Sequence, residues 1–149
     1  MPGRPPRPLV KAATALALLA YRASGGRVGG RFGRASVLLL TTTGRRTGKR
    51  RTAPLAYLED GDALVLIASF GGADVHPAWY LNLVASPEVE VRVRGGAPRQ
   101  MQARVAGAEE RERLWPRVVE MWGGYARYQA KTAREIPLVI LERPDPASM

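Results

Sequence analysis

No cysteine occurs in the 149 residues, so a disulfide framework, a thiolate nucleophile, an iron–sulfur cluster and a cysteine-ligated zinc are all excluded. Histidine is nearly as scarce, with His76 the single example. A Ser-His-Asp hydrolase would need that residue as its base, and no G-x-S-x-G elbow accompanies it. A structural metal site fails for want of ligands. An enzyme with this inventory takes its reactivity from an organic cofactor. Acidic residues are also missing from one region: residues 1–58 hold twelve Lys or Arg and no Asp or Glu, whereas residues 59–149 hold eleven basic and thirteen acidic residues. The formal net charge of +10 therefore belongs to the first third of the chain. A field of that kind attracts nucleic acid, an anionic membrane surface or a small polyanion, and composition does not rank the three. Twenty of the 23 basic residues are Arg, whose planar fork suits phosphate and carboxylate groups.

What is present reads as one domain with a basic leader. Residues 12–21, "AATALALLAY", follow Arg4, Arg7 and Lys11, but "RASGGR" offers no good cleavage site and the run is too short to span a bilayer. Leu9, Ala12, Ala13, Leu16 and Leu19 recur at helical spacing, which predicts a helix that docks on the domain or lies at a membrane surface. "SGGRVGGRFGR", residues 24–34, reads as a flexible basic linker, giving a leader over 1–34 and a domain over 35–149.

From residue 36 the pattern turns to strands. Residues 36–43, 52–59 and 63–69 read as three, the last two joined by a turn at Asp60-Gly61. "EVEVRVR" (88–94) alternates strictly and pairs with 99–106 across Gly95-Gly96, and 137–142 is a last strand. Pro77 is expected at the first position of a short helix over 77–85. A further helix from residue 108 is expected to be disturbed by Pro116 and to resume as "GYARYQAKTA". Six strands with short helices between them predict an α+β, mainly β, antiparallel barrel.

Three constellations carry chemistry. "TTTGRRTGKRR" (41–51) packs five cations into a turn between two strands. Its glycines are one residue too close for a Walker A loop, and Arg50 stands where Ser or Thr should follow Lys49. What remains is a glycine-framed turn able to bind phosphate or carboxylate, or else a solvated hairpin tip. "ASFGGADVHPAWYLNL" places Ser69 at a strand end, a Gly-Gly bend, and a helix start carrying Trp79, Tyr80 and Asn82. Such a niche accepts a polar ring system, although Trp79 could equally be core. Trp115, Trp122, Tyr125 and Tyr128 are spaced to lie along one helical side, as a core stripe or a pocket wall.

In this order the blocks "LLLTTTGRRTGKRRTAPL", "LIASFGGADVHPAWYLNL", "VEVRV" and "RERLWPRVVEMWGGYARYQAKTAREIPLVILE" resemble the deazaflavin-dependent nitroreductase and quinone reductase family, actinobacterial enzymes that use coenzyme F-420. The likeness runs over about residues 37–142. It implies a split β-barrel, flavin-reductase-like, and hydride transfer from the reduced deazaflavin to a quinone, nitroaromatic or similar acceptor. It implies that Arg45, Arg46, Thr47 and Arg51, with Lys49, hold the cofactor's phosphate and carboxylate tail. Thr52, Pro54, Leu55 and Ala56, then Ile67, Ala68, Ser69 and Phe70, would line the ring. Ala78, Trp79, Tyr80, Leu81 and Asn82 would complete the wall, and Trp122, Tyr125 and Tyr128 would surround the acceptor.

Phe70 stands where some members carry lysine, a contact that Lys49 and Arg50 would replace, and Ala56 and Trp122 each stand in place of a tyrosine. The proton for the reduced product would come from Tyr125 or Tyr128, with Ser69 or water as the alternative. The resemblance places the enzyme in the cytoplasm, with residues 1–34 near anionic lipid on the inner membrane face, and leaves a homodimer open. FMN as ligand, a non-catalytic flavin or deazaflavin carrier of the same fold, and a nucleic-acid-binding protein are the alternatives. The last lacks a recognition helix and aromatic interleaving.

Overall fold

The computed structural model describes residues 31–32 and 35–144, with side chains from Ser36 onward. Seven antiparallel strands form one sheet: β1 (Arg31–Phe32), β2 (Ala35–Thr43), β3 (Arg50–Asp60), β4 (Ala63–Ile67), β5 (Glu88–Val93), β6 (Arg99–Val105) and β7 (Leu138–Glu142). Their order is β1-β2-β3-β4-β7-β6-β5, and β5 returns to pair with β2, so six strands close a barrel and β1 extends one corner. Among the described residues three α-helices complete the fold: α1 (Ala78–Ala85), α2 (Ala108–Met121) and α3 (Gly124–Ala130).

Alternation along the strands sorts the side chains into two apolar clusters. Inside the barrel, Leu38, Leu40, Tyr57, Leu66, Val91 and Leu141 pack with Leu83 of α1, which projects from the helix into the interior. On the outer face, Val65, Ile67, Leu138 and Ile140 meet Leu114 and Val118 of α2 and Tyr125 of α3. Strands β4 and β7 are covered on both sides, which is why "ALVLI" and "LVIL" are unbroken apolar runs rather than alternating ones. Arg104 of β6 pins α2 to the sheet by pairing with Glu110 and with Glu142 of β7.

Several expected boundaries move. Residues 31–32, read as linker, form β1 against residues 35–36. The rest of the expected leader, including the helix over 12–21, lies outside the described residues. Pro77 is the N-cap of α1, with extended backbone, rather than its first helical residue. Helix α2 runs through Pro116 without a break. Pro116 and Glu112 both lie on the solvent face, where water satisfies the carbonyl that the proline cannot bond. Strand β4 stops at Ile67: Ala68 N–H still bonds Pro137 O in register (3.0 Å), but Pro137 has no N–H to return, and the chain enters a 3-10 turn at Phe70–Gly72. Among the described residues no helix is long and apolar enough to cross a membrane.

That 3-10 turn packs directly on α3. Gly72 has φ +82°, and a Cβ there would lie 2.8 Å from Tyr128 O. Gly72→Ala should therefore lower stability by about 2 kcal/mol or more, from left-handed strain and overpacking together. Urea denaturation checks this, and a midpoint within error of the parent's would show that the two segments separate freely.

Candidate functional site

The basic turn joins β2 to β3. Its backbone closes on itself, Gly44 N–H donating to Lys49 O (2.7 Å) and Gly48 N–H to Gly44 O (2.8 Å), with Gly48 at φ +72°. Thr47 Oγ1 accepts the Lys49 N–H (3.2 Å), and Arg50 Nη1 donates to Thr43 Oγ1 (3.1 Å). The side chains of Arg45, Arg46, Lys49, Arg50 and Arg51 are exposed, and no carboxylate among the described residues pairs with any of them. Five like charges on one turn repel each other, so the turn needs an anchor.

Asn82 of α1 supplies it. Its side chain, 6% exposed, accepts the Arg45 N–H at Oδ1 (3.1 Å) and donates from Nδ2 to Thr42 Oγ1 (3.2 Å). Expected in the cofactor wall, Asn82 spends its amide on holding the cationic turn to α1 and to buried Thr42.

Beyond the turn, Thr41 and Thr52 share a hydroxyl hydrogen bond of 2.8 Å across β2 and β3. Thr52, Pro54 and Ala56 lie half-buried on the outer face of β3, while Leu55 turns against the interior cluster. A groove of about 320 Å³ runs along this face, lined by Leu39, Thr41, Arg50, Thr52, Glu90 and Arg92. Where β4 ends, Ile67 and Ala68 are buried, and Ser69 and Phe70 are half-buried. Phe70 has φ +47°, followed by Gly71 at +65°. In α1, Ala78 is exposed and Leu81 half-buried, whereas Trp79 and Tyr80 pack against the barrel interior in an edge-to-face pair 6.5 Å apart. Trp79 is half-buried, one side of it against the interior cluster.

The aromatic stripe does not form one helical side. The chain leaves helical geometry at Trp122, which ends α2, and restarts in α3. Trp115 stays behind with Arg111 over its ring at 4.6 Å. Trp122, Tyr125 and Tyr128 instead make a compact trio, Trp122 lying edge-on to Tyr125 at 5.1 Å and to Tyr128 at 5.2 Å. Gly124 permits this, since a Cβ there would clash with the Trp122 ring. Burial, with Tyr128 adding to it, pushes the Tyr125 hydroxyl up to about 12, so it keeps its proton at any working pH. Leu58, two residues beyond Ala56 on the same face of β3, packs in the cluster that holds this trio.

A family model described as F-420H(2)-dependent quinone reductase matches residues 15–143. A protein of Mycobacterium tuberculosis named as an F-420H(2)-dependent quinone reductase is 40% identical over 129 residues, 83% of this chain and 85% of that one. The chain belongs to the F-420H(2)-dependent quinone reductase family. Among solved structures, one titled as an F-420-H2 dependent reductase is 41% identical with a TM-score of 0.65, covering 71% of this chain and 93% of its own. A second, titled as a domain-swapped dimer, is 36% identical with a TM-score of 0.67, covering 90% and 97%. The protein is accordingly an oxidoreductase with the split β-barrel fold, and its cofactor is coenzyme F-420.

The residues present fit that cofactor. Its phosphate and carboxylate groups need cations not already neutralised, and this reductase holds five on a braced turn. Arg134, between α3 and β7, escaped the sequence analysis, yet it contacts the 68–76 segment, part of which was expected to line the ring. Its partners lie 58 to 66 residues away along the chain, so no local pattern announces them. Replacing Arg45 and Arg46 together by Ala should raise the dissociation constant for coenzyme F-420 about tenfold or more, equivalent to roughly 1.4 kcal/mol per decade, with the thermal midpoint unchanged. Fluorescence titration reads this directly, and equal affinity in the double variant would make the turn a solvated tip.

Proposed function

We propose that this reductase anchors the coenzyme tail at Arg45, Arg46, Thr47, Lys49 and Arg51 and seats the ring between the outer face of β3 and residues 67–70. The acceptor, a quinone or a nitroaromatic, is received beside Trp122, Tyr125 and Tyr128. The observation that carries this reading is the unpaired cationic turn held by Asn82 at the end of β3. When bound, the reduced deazaflavin supplies the hydride. The protein's own residues fix the tail, exclude water from the aromatic trio and orient the acceptor.

Tyr125 or Tyr128 delivers the proton to the reduced acceptor, because both hydroxyls belong to the aromatic trio beside which the acceptor is received, with Ser69 at the other wall or water as the alternative. The basic leader over 1–34 draws the enzyme to the anionic inner surface of the membrane, where lipid quinones reside. The same asymmetry of charge supports a cytoplasmic enzyme that binds membrane peripherally, and a homodimer is a reading supported by the related domain-swapped structure.

The deciding experiment is titration with oxidised coenzyme F-420 and with FMN, followed by mixing reduced coenzyme F-420 with menadione and with a nitroaromatic. Deazaflavin binding and quinone turnover are expected. Absence of deazaflavin binding would overturn the reading, binding without turnover would indicate a carrier, and tight DNA binding with a steep salt slope would favour nucleic acid. Removing the hydroxyls in Tyr125→Phe and Tyr128→Phe should lower turnover about 10²-fold in whichever variant removes the donor, with coenzyme affinity kept. Undiminished rates in both would assign the proton to Ser69 or solvent.

A further inference from the structure

The segment between β4 and α1 carries little structure of its own. Gly72 N–H donates to Ser69 O at 2.9 Å and Ala73 N–H to Phe70 O at 3.1 Å, and Phe70, Gly71 and Gly72 have φ values of +47°, +65° and +82° in succession. Left-handed backbone at a phenylalanine persists only where the surroundings hold it.

Arg134 is the surrounding group that does so. Its guanidinium donates from Nη2 to Ser69 O (2.7 Å), from Nε to Ala73 O (2.7 Å) and from Nη1 to Ala68 O (3.2 Å). Nη1 also lies 3.3 Å from His76 Nδ1. Burial, with the Arg134 charge adding to it, keeps His76 below its ordinary range and therefore neutral, so Nδ1 can accept. No carboxylate among the described residues forms an ion pair with Arg134. Backbone carbonyls take its hydrogen bonds instead, and the Asp74 carboxylate acts on its charge from beyond ion-pair distance.

The brace is anchored in turn. Arg134 O accepts Gln129 Nε2–H at 2.8 Å, and Gln129 Oε1 accepts the Ile136 N–H at 2.9 Å, which ties the guanidinium to the end of α3. With the carbonyls of residues 68, 69 and 73 drawn to one side, the N–H groups of Ser69, Phe70 and Gly71 have no partner among the described residues.

We propose that Arg134 is a positioning residue that sets affinity for the deazaflavin: it turns the carbonyls of residues 68, 69 and 73 inward and leaves the N–H groups of residues 69–71 free to donate to the ring. The inference rests on residues 67–70 being the ring wall. A planar fork reaching three carbonyls in different directions is a task for arginine, because a lysine ammonium concentrates its three donors at one point.

The test uses Arg134→Lys, with Arg111→Lys as comparator. Arg111 also donates to Gln129 Oε1 and Ile136 O, so it disturbs the same bracing segment without touching residues 68–76. Two quantities are read on the full chain: the dissociation constant of oxidised coenzyme F-420, and amide hydrogen exchange in the ligand-free protein. For Arg134→Lys we expect a dissociation constant raised tenfold or more and exchange at Gly72 and Ala73 accelerated at least tenfold, with β2 amides unchanged. Arg111→Lys should stay within twofold on both. Parent-like affinity or parent-like exchange in Arg134→Lys, or equal losses in Arg111→Lys, would overturn the proposal. Should the lysine variant not fold, Arg134→Gln, which keeps two donors, is judged by the same thresholds. Failure of the parent itself to bind the coenzyme would instead sink the ring-wall assignment, and the exchange data would still show whether Arg134 holds the segment.

Discussion

Strand β2 is hydrogen-bonded along both edges, to β3 from Ser36 to Thr43 and to β5 from Leu38 to Thr41, and this double pairing closes the barrel. An open sheet would leave an unpaired edge and a half-covered interior. With the edge closed, Leu38 and Leu40 are fully buried and the strand is rigid up to its last residues. The cationic turn begins where that rigidity ends. Thr42, 1% exposed, gives its hydroxyl to Asn82, and Asn82 in turn grips the backbone of the turn. Repulsion among the five cations is thus carried by the barrel, and the charges stay exposed and ready for an anion.

The two apolar clusters divide the labour. The interior cluster fixes α1, and α1 brings Asn82 to the turn and Trp79 and Tyr80 to the barrel interior. The outer cluster fixes α2 and α3, and so decides where Trp122, Tyr125 and Tyr128 stand. In the proposed reading the site lies along the seam between them, with the outer face of β3 as its floor and the 68–76 segment as its far wall. That wall carries Phe70 in left-handed backbone, and it is held by groups from both sides: Tyr128 pressed on Gly72, and Arg134 on three carbonyls. Strain stored beside a ligand is a common arrangement, because a wall shaped in advance loses little entropy on binding.

Most strands were legible in the chain because one-sided or two-sided burial writes itself as a period of two or as an apolar run. Strand β5, "EVEVRV", alternates as its inward Val89 and Val91 require. Boundaries shifted where tertiary context overrode local preference: β4 ended early because Pro137, opposite Ala68, has no N–H to continue the ladder, and Pro116 was tolerated because it and Glu112, one turn back, lie on the solvent face. The aromatic stripe was misread because a spacing of seven, three and three presumes one continuous helix, and the chain breaks at Trp122. Asn82 was found for its place beside Trp79, but its partners, 37 and 40 residues away, could not be seen from its neighbours.

The sequence by itself determined the absence of cysteine chemistry, the concentration of positive charge in one turn, the β-rich architecture, and a family pattern specific enough to name the cofactor. These follow from composition and short-range spacing, which a linear chain displays directly. Only the tertiary structure decided that the turn is braced by a buried amide, that Trp79 packs against the interior cluster while Trp122 joins two tyrosines, and that a loop arginine far along the chain grips three carbonyls of residues 68–73. Each of those depends on hydrogen bonds or contacts between residues brought together by barrel closure, and a guanidinium's choice of carbonyls leaves no mark on the residues beside it.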